Sequence, residues 1–163
     1  MERPDNRRIT EHFWLYEFLF GSELPKLGHE LNIKSIDEFD DFDVEGLAED
    51  LEALRSEVNF IFKEKNGGKT IGLEITSGFR CLAWEIYRKR SGQSRHRWDA
   101  VDFRPTNVSK ELSQEIIWWL HKRYSPRIGG WEGGFAIAEP DLEKGKTGFV
   151  HIDRRDKIAR WTY

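Results

Sequence analysis

Apolar residues fall at helical spacing in the first half of the chain and at strand spacing in the second. Across residues 43–65, Val44, Leu47, Leu51, Leu54, Val58 and Ile61 recur at steps of three and four. That makes one apolar stripe on a helix, which Asn66-Gly67-Gly68 stops. Residues 70–76 alternate instead, with Ile71, Leu73 and Ile75 on one side, as a half-buried strand does. Ser77-Gly78 ends it. A second helix of about 82–90 carries Leu82 and Ile86, and residues 100–104 read as a short strand. Ser109 is placed to cap a helix over 110–123, with Leu112, Ile116, Trp119 and Leu120 inward. Strands are predicted at 135–138, 149–154 and 159–163. Between them lie a loop in which paired glycines bracket Trp131 and a polar turn at 141–148. Residues 9–20 predict a short aromatic helix or turn with Phe13, Phe18 and Phe20 on the core. The acidic run 34–43 predicts a solvated loop whose charges suit the N-terminus of the helix that follows. Helices first and strands late predict an α+β fold, a small antiparallel sheet with helices packed on one side.

Composition narrows the function classes. A chain of 163 residues fits one domain, taken as 1–163. Its formal net charge of −3 lacks the basic surplus from which nucleic-acid binders draw most of their affinity, so no nucleic-acid partner is expected. The one cysteine, Cys81, rules out an internal disulfide and a multi-thiolate zinc site, so a metal site has to use histidine and carboxylate. No apolar run reaches the length of a signal peptide core or a membrane span. The expectation is a chain cytoplasmic as synthesised, with no membrane partner. Nothing in the sequence indicates an oligomeric state.

Two of the five histidines sit in unusual company, in Ser94-Arg95-His96-Arg97-Trp98-Asp99-Ala100-Val101-Asp102 and in Gly148-Phe149-Val150-His151-Ile152-Asp153. On strands, Asp102 points away from Val101 and Phe103, and His151 shares a face with Asp153 opposite Val150 and Ile152. Adjacent strands of this kind bring His96, Asp102 and His151 together. Two imidazoles and a carboxylate with an open fourth position are the donor set of a catalytic zinc site. His12, His29 and His121 read as ordinary surface or core histidines.

The order of the motifs adds to this. His12-Phe13 through Glu17-Phe18-Leu19, Ile75-Thr76-Ser77-Gly78-Phe79-Arg80, Ser94-x-His96 with Ala100-Val101-Asp102, Gly148 to Asp153, and Arg160-Trp161 resemble the successive motifs of the D-alanyl-D-alanine carboxypeptidase and phage endolysin branch of the zinc peptidases. That superfamily also includes the hedgehog signalling domain. The resemblance implies a zinc ion held by His96, Asp102 and His151, with Arg80 steadying charge on the substrate. It implies hydrolysis of peptidoglycan stem peptides, and release to the cell wall by a phage holin. Ser94, Trp98 and Trp131 are candidates for substrate contact, although core or rim packing is the more ordinary use for the tryptophans. The chain departs from the family in two places. Five residues rather than six separate His96 from Asp102, which leaves Asp99 as a rival ligand. The positions just before His151 hold no general base, so Asp153 is the nearest candidate base, or else a carboxylate that orients an imidazole. A non-catalytic metal-binding or cell-wall or phage-particle binding module of the same fold, and a zinc peptidase of non-wall peptides, are the rival readings.

Overall fold

The computed structural model describes residues 3–163. Its elements run α1 (Leu15–Leu19), α2 (Lys26–Lys34), a 3-10 turn (Ile36–Asp41), α3 (Val44–Phe62), β1 (Gly72–Ser77), α4 (Leu82–Tyr87), a 3-10 turn (Arg95–Arg97), β2 (Ala100–Thr106), α5 (Lys110–Tyr124), β3 (Gly134–Ala138), β4 (Phe149–Asp153) and β5 (Ala159–Thr162). The class is α+β. The five strands form one sheet in the order β1-β2-β4-β3-β5. The chain divides into two compact units, one of residues up to Glu52 with Ile75–Val101, the other of Ala53–Glu74 with Asp102–Tyr163.

In the first unit the aromatic N-terminal segment closes on α3 through one carboxylate. Glu52 accepts from the His12 backbone at 2.7 Å and the Thr10 hydroxyl at 2.8 Å, and its other oxygen lies 2.9 Å from His12 Nδ1. Burial would raise the pKa of Glu52, but these hydrogen bonds and the His12 charge outweigh it and hold the pKa below its ordinary value. Phe13, Phe18 and Leu19 are buried as the pattern requires, whereas Phe20 is only half-buried, packed on the ring of His29. Phe39, Phe42 and Phe79 form a ring cluster with centroids 5.3 to 5.7 Å apart. The acidic run thus makes a 3-10 turn anchored by Phe39 rather than a plain solvated loop.

Helix α2 escapes a periodicity search because its buried residues are Gly28 and Asn32, not an apolar stripe. A Cβ at Gly28 would meet the Leu24 side chain at 2.6 Å, so the helix approaches its neighbours closely there. Asn32 is fully buried. Its amide donates to the carbonyls of Leu19 (2.8 Å) and Phe79 (3.0 Å) and accepts from the Cys81 backbone (3.1 Å). It therefore clamps the turn that carries Arg80. Helix α4 ends earlier than its pattern suggests. Its buried face is Trp84 and Glu85, while Leu82 and Ile86 are exposed.

In the second unit, the lower half of α3 buries Leu54, Val58 and Phe62, and Ile61 is exposed in place of Phe62. Asn59 binds both backbone groups of Ile71 at 2.8 Å, tying the helix to the approach of β1. Ser109 caps α5 by accepting from the Leu112 backbone at 3.1 Å, and Ile117 rather than Trp119 joins Leu112, Ile116 and Leu120 inside. Strand β3 pairs antiparallel with β4 and parallel with β5. This corrects the expected antiparallel sheet to a mixed one. Successive strands β3, β4 and β5 reverse direction in turn, but β5 passes to the free edge of β3 instead of pairing with β4, so it runs parallel to its neighbour.

Asn32→Ala strands three buried backbone groups in this clamp. It is expected to lower the unfolding free energy by on the order of 3 kcal/mol in urea titrations, far beyond a surface substitution.

Candidate metal centre

Among the described residues one group of side chains meets the geometry of a metal site. Ligand atoms of His96, Asp102 and His151 lie within 4.8 Å of one another, and all three residues are buried. The group can hold a metal ion.

His96 sits in the 3-10 turn before β2, whose start Ser94 caps by accepting from the His96 backbone at 3.3 Å. Its Nδ1 is 2.8 Å from the carbonyl of Gly78. A carbonyl only accepts, so Nδ1 carries a proton, and Nε2 is the nitrogen that would ligate a metal. Gly78 has to be glycine, because a Cβ there would meet the Phe18 carbonyl oxygen at 2.2 Å. The Arg80 backbone donates to the His96 carbonyl at 2.9 Å, which joins the Ser77-Gly78-Phe79-Arg80 turn to the histidine from both sides. The Arg80 side chain lies 3.3 Å from Glu85, a carboxylate with no exposed surface, and 3.3 Å from the Ser94 hydroxyl.

Of the two carboxylates that follow His96, Asp102 lies in the metal-site group and Asp99 does not. Asp99 is bound by Arg95 four residues earlier, through Nε at 2.7 Å and through a second contact from Nη2. The turn Trp98-Asp99 leads directly into β2, and Asp102 on that strand is the carboxylate of the metal group.

Strand β4 lies beside β2 in the sheet. Its His151 meets Asp102 Oδ1 through Nδ1 at 2.7 Å and Asp153 Oδ2 through Nε2 at 3.1 Å. Burial works against the imidazolium, but hydrogen bonds and charge from both carboxylates outweigh it and raise the His151 pKa. Asp153 is wholly buried. Gly134 donates to its Oδ1 at 2.9 Å, and Arg155 grips both oxygens at 2.7 and 2.5 Å. Burial would raise its pKa too, yet the bonds from His151 and Arg155 hold it well below the usual carboxylate range.

Small residues on β3 make room for this. A Cβ on Gly134 would collide with the Asp153 carboxylate at 2.2 Å, and one on Gly133 with the Asp153 carbonyl at 2.1 Å. Ala136 is in register with His151 on one side and Trp161 on the other, so the Trp161 ring reaches across it to lie 4.9 Å from the imidazole. Trp131 is half-buried and donates from Nε1 to the Asp153 carbonyl at 3.1 Å, a structural anchor. Arg160 fixes the same loop by binding the carbonyls of Ser125 and Gly133 at 2.8 and 2.7 Å. Trp98 is half-buried, with the Arg97 guanidinium 5.0 Å from its ring centroid.

Sequence reasoning missed Asn32, Glu85, Arg155 and Tyr163. Only Arg155 left a trace, as a cation two residues after Asp153. The chain matches no family model, no curated protein and no solved structure.

The paired shifts set a pH profile for the metal-free protein. Asp153, with its pKa lowered on folding, contributes stability above its unfolded value of about 3.9, lost as pH falls through the lower folded value. His151, with its pKa raised, contributes stability below about 6.5, lost as pH rises through the higher folded value. Stability contributed by the pair should be greatest between these limits. Asp153→Asn should flatten the acid limb and His151→Gln the alkaline limb, read from urea midpoints measured across the pH range.

Proposed function

We propose that the protein is a zinc metallopeptidase acting on peptide bonds of peptidoglycan stem peptides, with His96, Asp102 and His151 as metal ligands. The observation that carries the metal part is the buried trio with ligand atoms within 4.8 Å, each imidazole held at one nitrogen by a protein acceptor. Two histidines and a carboxylate suit zinc better than magnesium or calcium. Zinc bound there would bring the pKa of a coordinated water to about 7 and polarise a carbonyl.

The remaining roles belong to the chain. Arg80, oriented by Glu85 and Ser94, is proposed to steady negative charge on the scissile group, the use to which a fixed guanidinium is suited. Asp153 is proposed to orient His151 rather than to take a proton, because Arg155, Gly134 and His151 already occupy its oxygens and hold it ionised. A cleft of about 760 Å³ lined by Glu139, Asp141, Glu143 and Tyr163 is the proposed seat of the peptide and the source of the base. The choice of a cell-wall substrate, and of holin-dependent access to it, rests on the motif order of the sequence. No helix among the described residues is long and apolar enough to cross a membrane.

The engagement of Asp153 also favours a second reading, a metal-holding module without hydrolysis. Elemental analysis followed by digestion assays separates the two. About one zinc per chain is expected in the wild type and in Asp99→Ala, and none in His96→Ala, Asp102→Ala or His151→Ala. Cleavage of D-amino-acid-containing wall peptides by the zinc protein supports the peptidase. Bound zinc with no cleavage of any D- or L-peptide supports the module, and absence of zinc in the wild type after repletion overturns both.

A further inference from the structure

Strand β5 ends beside the metal centre. In register with β3, Trp161 pairs with Ala136 and Thr162 with Ile137, and the Tyr163 backbone donates to the Ile137 carbonyl at 3.1 Å. Alternation puts Trp161 and Tyr163 on one face, the face of Phe149, His151 and Asp153 on β4. The intervening side chains on β3 are Ala136 and Ala138, small enough for both aromatic rings to reach across. Tyr163 packs on Phe149 with centroids 5.2 Å apart, and its ring lies 6.2 Å from both Trp161 and His151. Its hydroxyl oxygen is 3.4 Å from His151 Nδ1.

That nitrogen already has a partner, since Asp102 Oδ1 stands 2.7 Å from it. An imidazole nitrogen offers one in-plane direction, for one proton or one lone pair. Here a carboxylate oxygen and a phenol oxygen converge on it together, while the opposite nitrogen is held by Asp153. A metal ion on that nitrogen would have both oxygens beside it, while the carboxylate on the opposite nitrogen orients the ring. We propose that Tyr163 is a fourth donor to the metal held by His96, Asp102 and His151, its phenol oxygen binding the ion and its proton passing to solvent. The assignment rests on the metal-holding part of the function proposed above and not on the substrate. It puts the phenol, rather than the coordinated water of the proposed peptidase, in the fourth position of the resting site.

Copper(II) is the probe, added to the metal-free full chain. The wild type should bind about one ion and show a phenolate-to-copper charge-transfer band in visible absorption. Tyr163→Phe removes one oxygen and keeps the ring that packs on Phe149, so folding is preserved, as circular dichroism will check. It should lose the band and bind copper roughly tenfold more weakly by equilibrium dialysis. A spectrum and affinity unchanged by Tyr163→Phe overturn the proposal while leaving the metal trio standing. Wild type that binds no more copper than His96→Ala overturns the metal reading, and the Tyr163 assignment with it.

Discussion

His151 has almost no solvent to turn to, being 3% exposed, and its two ring nitrogens face Asp102 and Asp153. Two carboxylates around one imidazole, in a place this dry, demand positive charge, because an isolated buried carboxylate costs several kcal/mol on the order of magnitude of its lost hydration. Arg155 meets one of the two demands by gripping Asp153. A proton on His151 would meet the other, and the pull of both carboxylates on it raises the histidine pKa despite burial. A divalent cation on the same nitrogen would meet it better, and would take the place of that proton. The strands around β4 are arranged to keep this balance of charge away from water.

Strand β3, which lies between β4 and β5, shows how the balance is built into the packing. On one face of β3, Phe135 and Ile137 are buried core residues. On the other, Gly134, Ala136 and Ala138 have almost no side chain. Gly134 lies against the Asp153 carboxylate, Ala136 lies under Trp161 and His151, and Ala138 lies in register with Phe149. Replacing any of these small residues by a large one would push apart side chains that belong to the two flanking strands. The alternation of large and small on one strand thus serves the core on one face and the charged centre on the other.

Much of this was legible beforehand, for identifiable reasons. The stripe on α3, the Ser109 cap and the strands at 149–153 and 159–162 follow from local periodicity and capping, which the fold respects. Asp102 and His151 were legible because their neighbours alternate with core residues, so their faces could be assigned, whereas His96 lies in a turn and was picked out only by the Ser94-x-His96 motif and the resemblance it carries. Helix α2 was not, since what it buries is a glycine and an asparagine, and nothing in Lys26–Lys34 distinguishes a buried amide from an exposed one. The parallel edge pairing of β5 was hidden too, because strand direction and neighbour are settled by the whole sheet rather than by any one segment. Nothing in the sequence marks Glu85 as buried, and only the approach of Arg80 and Arg90 to within 3.3 Å gives its burial a reason.

The turn between His96 and Asp102 is informative in the same way. It carries two carboxylates, Asp99 and Asp102, within six residues of His96, and only one of them joins the histidines. The 3-10 segment Arg95–Arg97 runs straight into the strand, with Arg95 holding Asp99 outside the metal group. Because β2 begins at Ala100, strand alternation alone then decides where Asp102 points. The strand after the turn is anchored by its own apolar face, Val101 and Phe103, both fully buried. The place of Asp102 beside the histidines is therefore set by the strand register that buries Val101 and Phe103, and the length of the loop is secondary.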